Sequence, residues 1–160
     1  MNNRLIKHTG ELPNAHLNNN GAGPKRTPLN TPAAQISKRI LCVDDEIVAT
    51  RLRGHILEEH GYSVVLYHCP LAALHCDLSV FDLAVLDFQM PGLNGRELFL
   101  RMRALGARFP MILLTGSVDA LSYDDCVLFA RCLDKSRPVK YLLEAIAGFL
   151  NPNQIPDFGT

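Results

Sequence analysis

The chain has 160 residues, enough for one compact domain, and its 16 basic and 16 acidic side chains give a formal net charge of zero. This balance gives no electrostatic reason to expect nucleic acid or a membrane as the main partner. Five cysteines without a Cys-x-x-Cys pair favour reduced thiols in a cytoplasmic protein over a disulfide framework or a zinc site. No apolar run approaches the ~20 residues that span a bilayer, and the N-terminus lacks the apolar core of a secretory signal.

Residues 1–37 differ in composition from the rest of the chain. They contain an Asn-Asn-Asn run, four prolines and no apolar periodicity, so they cannot bury enough surface to offset the entropy lost on ordering. They carry four basic residues and one acidic residue (net +3), whereas residues 38–160 carry 12 basic and 15 acidic residues (net −3). We therefore expect a disordered N-terminal extension at 1–37, a folded domain at 38–152 and a short C-terminal tail at 153–160.

From Lys38 onwards, short apolar runs alternate with amphipathic segments. Strands are predicted at 39–43, 62–67, 82–87, 110–115 and 129–134, and helices at 46–60, 70–78, 94–105, 118–128 and 139–150. Val48, Leu52 and Ile56 recur every four residues in the first helix, whereas three aspartates leave 118–128 with a thin apolar stripe. Strands that are apolar along their length, between amphipathic helices, predict an α/β protein with a doubly wound, five-stranded parallel sheet.

Polar side chains follow or end four of the predicted strands. Asp44 and Asp45 follow the first strand, Asp87 ends the third, Thr115 ends the fourth and Lys135 follows the fifth. The ligand sites of such sheets lie at the carboxyl ends of the strands, where the first, third and fourth strands can be neighbours. Clustered carboxylates raise each other's pKa unless a cation lies among them, and an oxygen-only ligand set suits Mg²⁺.

An aspartate in such a cluster can accept a phosphoryl group and become an aspartyl phosphate. Mg²⁺ would bridge the carboxylate and the phosphoryl oxygens, while a lysine and a threonine hydroxyl hold the remaining oxygens. Each residue has a simpler explanation by itself, since Asp44 could cap the next helix, Thr115 could be an ordinary strand end and Lys135 a solvated charge. We interpret them together as a phosphoryl-transfer site because the complete set occurs in order along one predicted edge.

Four sequence runs carry a resemblance to a known family. They are Ile-Leu-Cys-Val-Asp-Asp-Glu at 40–46, Leu-Asp-Phe-Gln-Met-Pro-Gly-Leu-Asn-Gly at 86–95, Leu-Leu-Thr-Gly at 113–116 and Asp-Lys at 134–135. With them, residues 38–152 resemble the receiver domain of two-component response regulators, and the Asp-x-x-Met-Pro-x-x-x-Gly pattern is specific. The resemblance implies a flavodoxin-like (βα)5 fold with strand order 2-1-3-4-5, and a phosphoryl group received from a histidine kinase or a phosphotransfer protein.

The resemblance also implies roles for single residues. Asp87 matches the phospho-acceptor, Asp45 the direct Mg²⁺ ligand and Asp44 the companion acid that holds metal-bound water. The main-chain carbonyl of Gln89 is implied as the third protein ligand. Thr115 matches the hydroxyl that turns toward the phosphoryl oxygens when the acceptor is phosphorylated.

Lys135 matches the family's lysine, but the sequence around it departs from the family pattern. The family usually has Pro directly after this lysine, joined by a cis peptide, whereas here the order at 135–138 is Lys-Ser-Arg-Pro, so that bond cannot form. Three residues before the lysine, the family often has the Tyr or Phe that moves inward with the threonine, and here that position is Cys132. Phe129 and Tyr141 are nearby but do not match, so we expect phosphorylation to signal without the usual aromatic movement.

The resemblance implies a stand-alone receiver, because the chain ends ten residues after the last predicted helix. Such a protein would act through contacts with a downstream protein or as a phosphate shuttle or sink, and the fourth helix, fifth strand and fifth helix form the face through which it could dimerise. It would not be a classical enzyme, although it would promote its own phosphoryl transfer and dephosphorylation. Gln89 and Ser117 each lie two residues after a site residue, and we expect both to influence the phosphoryl lifetime.

Three other functions compete with this interpretation. A non-phosphorylated interaction module would keep the fold and bind a partner constitutively, which the irregular segment after Thr115 favours slightly. A phosphoaspartyl hydrolase of the dehalogenase type would have a second aspartate where this chain has Gln89. A flavin- or nucleotide-binding α/β protein would have a Gly-rich phosphate loop after the first strand, and this sequence has none.

Overall fold

The computed structural model describes residues 37–151, so the predicted extension up to residue 36 and the predicted C-terminal tail lie outside the described part. The strands are β1 Arg39–Val43, β2 Ser63–Tyr67, β3 Leu83–Asp87, β4 Met111–Thr115 and β5 Arg131–Asp134. The α-helices are α1 Ile47–Glu59, α2 Pro70–Ala73, α3 Gly95–Ala104, α4 Tyr123–Leu128 and α5 Lys140–Leu150, with 3-10 turns at Leu78–Val80 and Val118–Ala120. Among these residues, no helix is long and apolar enough to cross a membrane.

The five strands form one parallel sheet in the order β2-β1-β3-β4-β5. This arrangement confirms the predicted fold class and strand order. Val43 pairs with Leu86, and therefore the residues that follow them, Asp44 and Asp87, emerge side by side at the carboxyl edge. Asp87 in turn pairs with Leu114, one residue before Thr115.

The core lies on both faces of the sheet, as the alternation of side chains along β1 shows. Leu41 and Val43 belong to the apolar cluster that contains Leu98 and Met102 of α3. Ile40 and Cys42 belong to the other cluster, which packs against α1 and α5. Because apolar side chains cover both faces, the strands are buried throughout their middle and only their ends are available for polar chemistry.

Helix α1 is confirmed, but it buries a different face from the one that the apolar spacing indicated. Val48 and Leu52 are 79% and 60% exposed. The residues that α1 buries are Thr50, Gly54 and Leu57. A Cβ at Gly54 would lie 3.1 Å from the Leu66 side chain of β2, so small residues face the sheet here because the helix packs close to it.

The helix predicted at 70–78 is too long. Helix α2 ends at Ala73, and a separate 3-10 turn begins after Asp77. The Asp77 carboxylate accepts hydrogen bonds from the main-chain N–H of Ser79 (2.9 Å) and from its hydroxyl (2.6 Å). Because this side chain satisfies the first amide of a new turn, the chain starts a second element instead of continuing the first.

The helix predicted at 118–128 is divided in a similar way. A 3-10 turn precedes α4, and Ser122 begins α4 as its N-cap in a capping box with Asp125. The Ser122 hydroxyl accepts from the Asp125 N–H (3.1 Å), and the Asp125 carboxylate accepts from the Ser122 N–H (3.1 Å). Asp124 and Asp125 therefore lie in the first helical turn, where negative charge is favourable.

Candidate functional site

Three carboxylates meet at the carboxyl edge of the sheet. One carboxylate oxygen from each of Asp44, Asp45 and Asp87 lies within 4.8 Å of the others. Asp44 and Asp87 are only 1% and 3% exposed, because their strands lie next to each other in the middle of the sheet, whereas Asp45 is exposed. The cluster therefore has two buried acids at its base and one at its mouth.

Lys135 extends from the end of β5 into this cluster. Its Nζ lies 2.9 Å from Asp87 Oδ1 and 3.1 Å from Asp44 Oδ2. The Lys135 main-chain N–H donates to the Thr115 carbonyl (2.7 Å), which continues the strand pairing and fixes the direction of the side chain. Lys135 thus reaches both buried acids.

The turn after Lys135 has a different construction from the family's cis Lys–Pro bond. None of the peptide bonds among residues 37–151 is cis. The Asp134 side chain accepts from the Ser136 N–H (2.7 Å), and its carbonyl accepts from the Arg137 N–H (3.1 Å). These two hydrogen bonds form the turn that precedes α5.

Arg53 of α1 is a second cation at the cluster, and the sequence interpretation missed it. Its Nη1 lies 3.2 Å from Asp44 Oδ2, and its side chain is 12% exposed. Arg53 lies between Thr50 and Leu57 on the face of α1 that points toward the sheet. An arginine on a buried helical face needs an anionic partner. A correct assignment of the buried face of α1 would therefore have indicated Arg53 as a site residue.

The electrostatics of the cluster follow from burial and ion pairing. Burial raises the pKa of Asp87 above its ordinary value of 3.8, and Asp44 acts in the same direction, against the opposing effects of Lys135 and the Gln89 main-chain N–H. Burial lowers the pKa of Lys135, but its contacts with Asp87 and Asp44 outweigh that effect and leave the pKa above 10.5. The lysine is therefore held as a cation, while burial disfavours the charged form of Asp87 more than its contacts favour it.

The hydroxyl of Thr115 is engaged with the loop after β4. Thr115 Oγ1 accepts from the Ser117 N–H (3.2 Å) and donates to the Ser117 carbonyl (3.3 Å). Thr115 is buried at the strand end, whereas Ser117 is exposed. The hydroxyl therefore has both a donor and an acceptor partner in the loop after β4.

The loop between β3 and α3 passes very close to Asp87. The N–H of Gly95 donates to the Phe88 carbonyl (2.9 Å). A Cβ at Gly95 would collide with the Asp87 carbonyl oxygen and lie 3.0 Å from Phe88 Cα. Asn94 caps α3 at this point through a capping box with Glu97. Only glycine allows the helix to begin directly behind the site.

The fold and the site together define the class of protein: an α/β domain whose acidic cluster and paired lysine lie at the carboxyl edge of a 2-1-3-4-5 sheet. The family model of the response regulator receiver domain matches residues 40–133. The chain belongs to the response regulator receiver family, which confirms the resemblance seen in the sequence.

Individual relatives agree with this membership. Regulatory protein VanR of Enterococcus faecium is 38% identical over 82 residues, which are 51% of this chain and 35% of VanR. Sensor protein GacS of Pseudomonas syringae pv. syringae is 33% identical over 97 residues, which are 57% of this chain and 11% of GacS. The chain thus spans 35% or less of the length of these two relatives.

A solved structure agrees over the whole of its own length. The crystal structure of response regulator protein TrrA from Thermotoga maritima, in complex with Mg²⁺-BeF, is 32% identical to this chain with a TM-score of 0.65. The similarity covers 71% of this chain and 99% of TrrA. The shared part is therefore a complete receiver domain.

Proposed function

We propose that the chain accepts a phosphoryl group on Asp87 from a histidine kinase or a phosphotransfer protein, in a Mg²⁺-dependent reaction, and signals through protein contacts. One observation carries this proposal: the Asp87 carboxylate lies at the meeting point of two other acids and a lysine that is 2.9 Å away. A structural aspartate does not need this surplus of negative charge around it, whereas a site for a metal ion and a phosphoryl group does.

The donor set fits Mg²⁺, because three carboxylates within 4.8 Å of one another offer the oxygen ligands that this ion prefers. Asp45 would be the direct ligand together with Asp87 and the Gln89 carbonyl, and Asp44 would hold metal-bound water. When bound, the ion supplies positive charge that offsets the charge of the phosphoryl oxygens. The Mg²⁺-BeF complex of TrrA supports this choice of metal.

The residues of the chain supply the remaining chemistry. An Asp87 carboxylate oxygen forms the new bond to phosphorus while the bond between phosphorus and the donor atom breaks. The Lys135 ammonium, already in contact with Asp87, compensates for the negative charge that the phosphoryl group brings. Thr115 then exchanges its hydrogen bonds with Ser117 for one with a phosphoryl oxygen, which changes the loop after β4.

The downstream contact belongs on the face formed by α4, β5 and α5. Tyr123 and Val127 on α4 are exposed large apolar side chains, which support a partner surface there. The same face would form the homodimer. Since the loop after Thr115 leads directly into α4, a change at that loop reaches this surface over a short distance.

Phosphorylation by a small-molecule donor tests the proposal. Incubation with Mg²⁺ and acetyl phosphate is expected to add one phosphoryl group, measured by intact-protein mass, and EDTA is expected to prevent the gain. The Asp87→Asn variant should show no gain, while Asp119→Asn, which changes an exposed aspartate, should behave as wild type. A gain that survives Asp87→Asn would contradict the proposal, and no gain in wild type would favour the non-phosphorylated interaction module.

A further inference from the structure

Asp44 is held by two cations at once. Arg53 Nη1 and Lys135 Nζ lie 3.2 Å and 3.1 Å from the same oxygen, Asp44 Oδ2. The other oxygen, Oδ1, accepts a hydrogen bond from the Glu46 N–H at 2.9 Å. Both carboxylate oxygens of this acid are therefore already engaged by groups of the protein itself.

Arg53 changes the charge balance of the cluster. The three aspartates carry −3 and the two cations carry +2, which leaves a net charge of −1. Without Arg53, the same cluster would carry −2. Asp44 and the Arg53 side chain are almost completely buried, so little water lies between the charges to screen them.

Helix packing keeps Arg53 at this position. The Thr50 hydroxyl donates to the Glu46 carbonyl (2.8 Å) and approaches the Asp44 carbonyl (3.4 Å), which ties the first turns of α1 to the strand end. The close approach of Gly54 to Leu66 fixes the next turn against the sheet. Arg53 lies on the turn between these two contacts, so its guanidinium stays within reach of Asp44.

Arg53 also borders a cavity of about 210 Å³ between α1 and α5. Leu114, Leu133 and Leu142 line it, together with Asp134, Lys135 and Arg137. The cavity offers space beside Arg53 for the apolar stem of its side chain. The Arg53 side chain therefore has room to move away from Asp44.

We propose that Arg53 is a positioning residue that holds Asp44, the acid that would bind the water of the metal ion, and thereby sets the Mg²⁺ affinity of the site. The inference rests on the proposed function, because it concerns the same metal site. The cluster is stabilised by an internal cation, and Asp44 would have to loosen its contact with Arg53 in order to hold the water of a bound Mg²⁺. The site consequently fills at a higher Mg²⁺ concentration than the same three aspartates would require without Arg53.

Isothermal titration with MgCl₂ tests this inference on the full chain. Arg53→Gln removes the charge and is expected to bind Mg²⁺ on the order of tenfold more tightly than wild type. Arg53→Lys keeps the charge and should stay within about twofold of wild type. The matched control is Arg51→Gln, which makes the same charge change on an exposed position of α1 and should leave the dissociation constant unchanged.

A second readout separates metal affinity from general stability. The rise in melting temperature on adding Mg²⁺ should be larger for Arg53→Gln than for wild type, because the variant lacks an internal cation in the metal-free state. If Arg53→Gln fails to fold, Arg53→Leu offers a side chain that suits the apolar wall of the cavity, and the same tighter binding is expected.

The outcomes distinguish the two proposals. Equal or weaker Mg²⁺ binding by folded Arg53→Gln and Arg53→Leu, with normal binding by wild type, would overturn the role of Arg53 alone. Absence of Mg²⁺ binding in wild type and in every variant would overturn this inference together with the Mg²⁺ site of the proposed function.

Discussion

The ring of Phe129 lies 4.8 Å from the ring of Phe99, centroid to centroid, and the two planes are tilted by 54°. Both rings are buried in the cluster between the sheet and α3. Tyr141, in contrast, is at the surface of α5 beside Arg137 (5.0 Å). Cys132 is partly buried and packs against the same cluster as Phe129. The aromatic residue nearest to the usual switch position is thus part of the core.

This packing leads to a prediction for the switch. We expect Phe129 and Tyr141 to keep their positions when Mg²⁺ and BeF are bound at Asp87, because Phe129 is fixed by Phe99 and Tyr141 lies on a different element. Crystal structures with and without the phosphoryl mimic would measure both ring positions. An inward swing of either ring would contradict the expected signalling without aromatic movement.

Removing the charge of Lys135 should destabilise the protein, because the carboxylates of the cluster then repel one another more strongly. Lys135→Gln is expected to lower the free energy of unfolding in Mg²⁺-free buffer by about 1–3 kcal/mol, since two buried carboxylates lose a partner, and Mg²⁺ should restore most of that loss. The control Lys38→Gln breaks a pair of similar length, Lys38–Asp82 at 2.9 Å, that is largely exposed, and should cost less than about 0.5 kcal/mol. Urea unfolding measures both, and equal losses would argue against the prediction.

Asp125 should make the stability depend on pH in the acid range. Its pKa lies below the ordinary value of 3.8, first because the Ser122 hydroxyl donates to it and then because Arg96 lies 2.8 Å away. A carboxyl group with a lowered folded-state pKa contributes stability above pH 3.8, and that contribution is lost as the pH falls through the folded-state pKa. Asp125→Asn is therefore expected to lower the free energy of unfolding by about 1 kcal/mol at neutral pH.

The difference between Asp125→Asn and wild type should shrink as the pH falls below 3.8. Asp124→Asn is the matched control, because it changes the charge of an exposed residue in the same helical turn. Urea unfolding at a series of pH values would show the effect. A constant difference across the series would mean that Asp125 acts through packing and not through its charge.

Two exposed side chains should influence how long the phosphoryl group persists. Gln89 follows the acceptor by two residues, and its N–H contacts the Asp87 carboxylate. Ser117 holds the Thr115 hydroxyl through its main chain. We expect Gln89→Ala and Ser117→Ala to change the decay rate of the phosphorylated protein, followed by loss of the added mass. Identical decay rates in wild type and both variants would refute this expectation.

The fold and the acid cluster could be predicted because short stretches of the sequence indicate each strand and the polar residue at its end. Four of the five apolar runs end on a residue of the site or directly before one, and a parallel sheet gathers these ends at one edge. Arg53 could not be found in this way, because the spacing of Val48, Leu52 and Ile56 indicated another face of α1. The face actually buried is chosen by the close approach of Gly54 to β2, which is a property of the packed pair and not of the helix sequence.

Helix ends were difficult to predict for a related reason. Asp77 and Ser122 each form hydrogen bonds with the main chain directly at the start of a new element, and these bonds divide the predicted segments at 70–78 and 118–128. The spacing of apolar residues contains no information about such local hydrogen bonds. The boundaries therefore depend on single side chains, whereas the order of strands depends on the whole pattern.

The close approach of Gly95 to the backbone of Asp87 limits which residues position 95 can hold. A library randomised at position 95 and sorted for folded protein should return glycine almost exclusively, because any side chain would push α3 away from the backbone of Asp87. Position 148, where an added Cβ meets nothing within 4 Å, should accept alanine and larger residues in the same experiment. The backbone of Asp87 would then constrain the identity of a neighbour that makes no chemical contribution of its own.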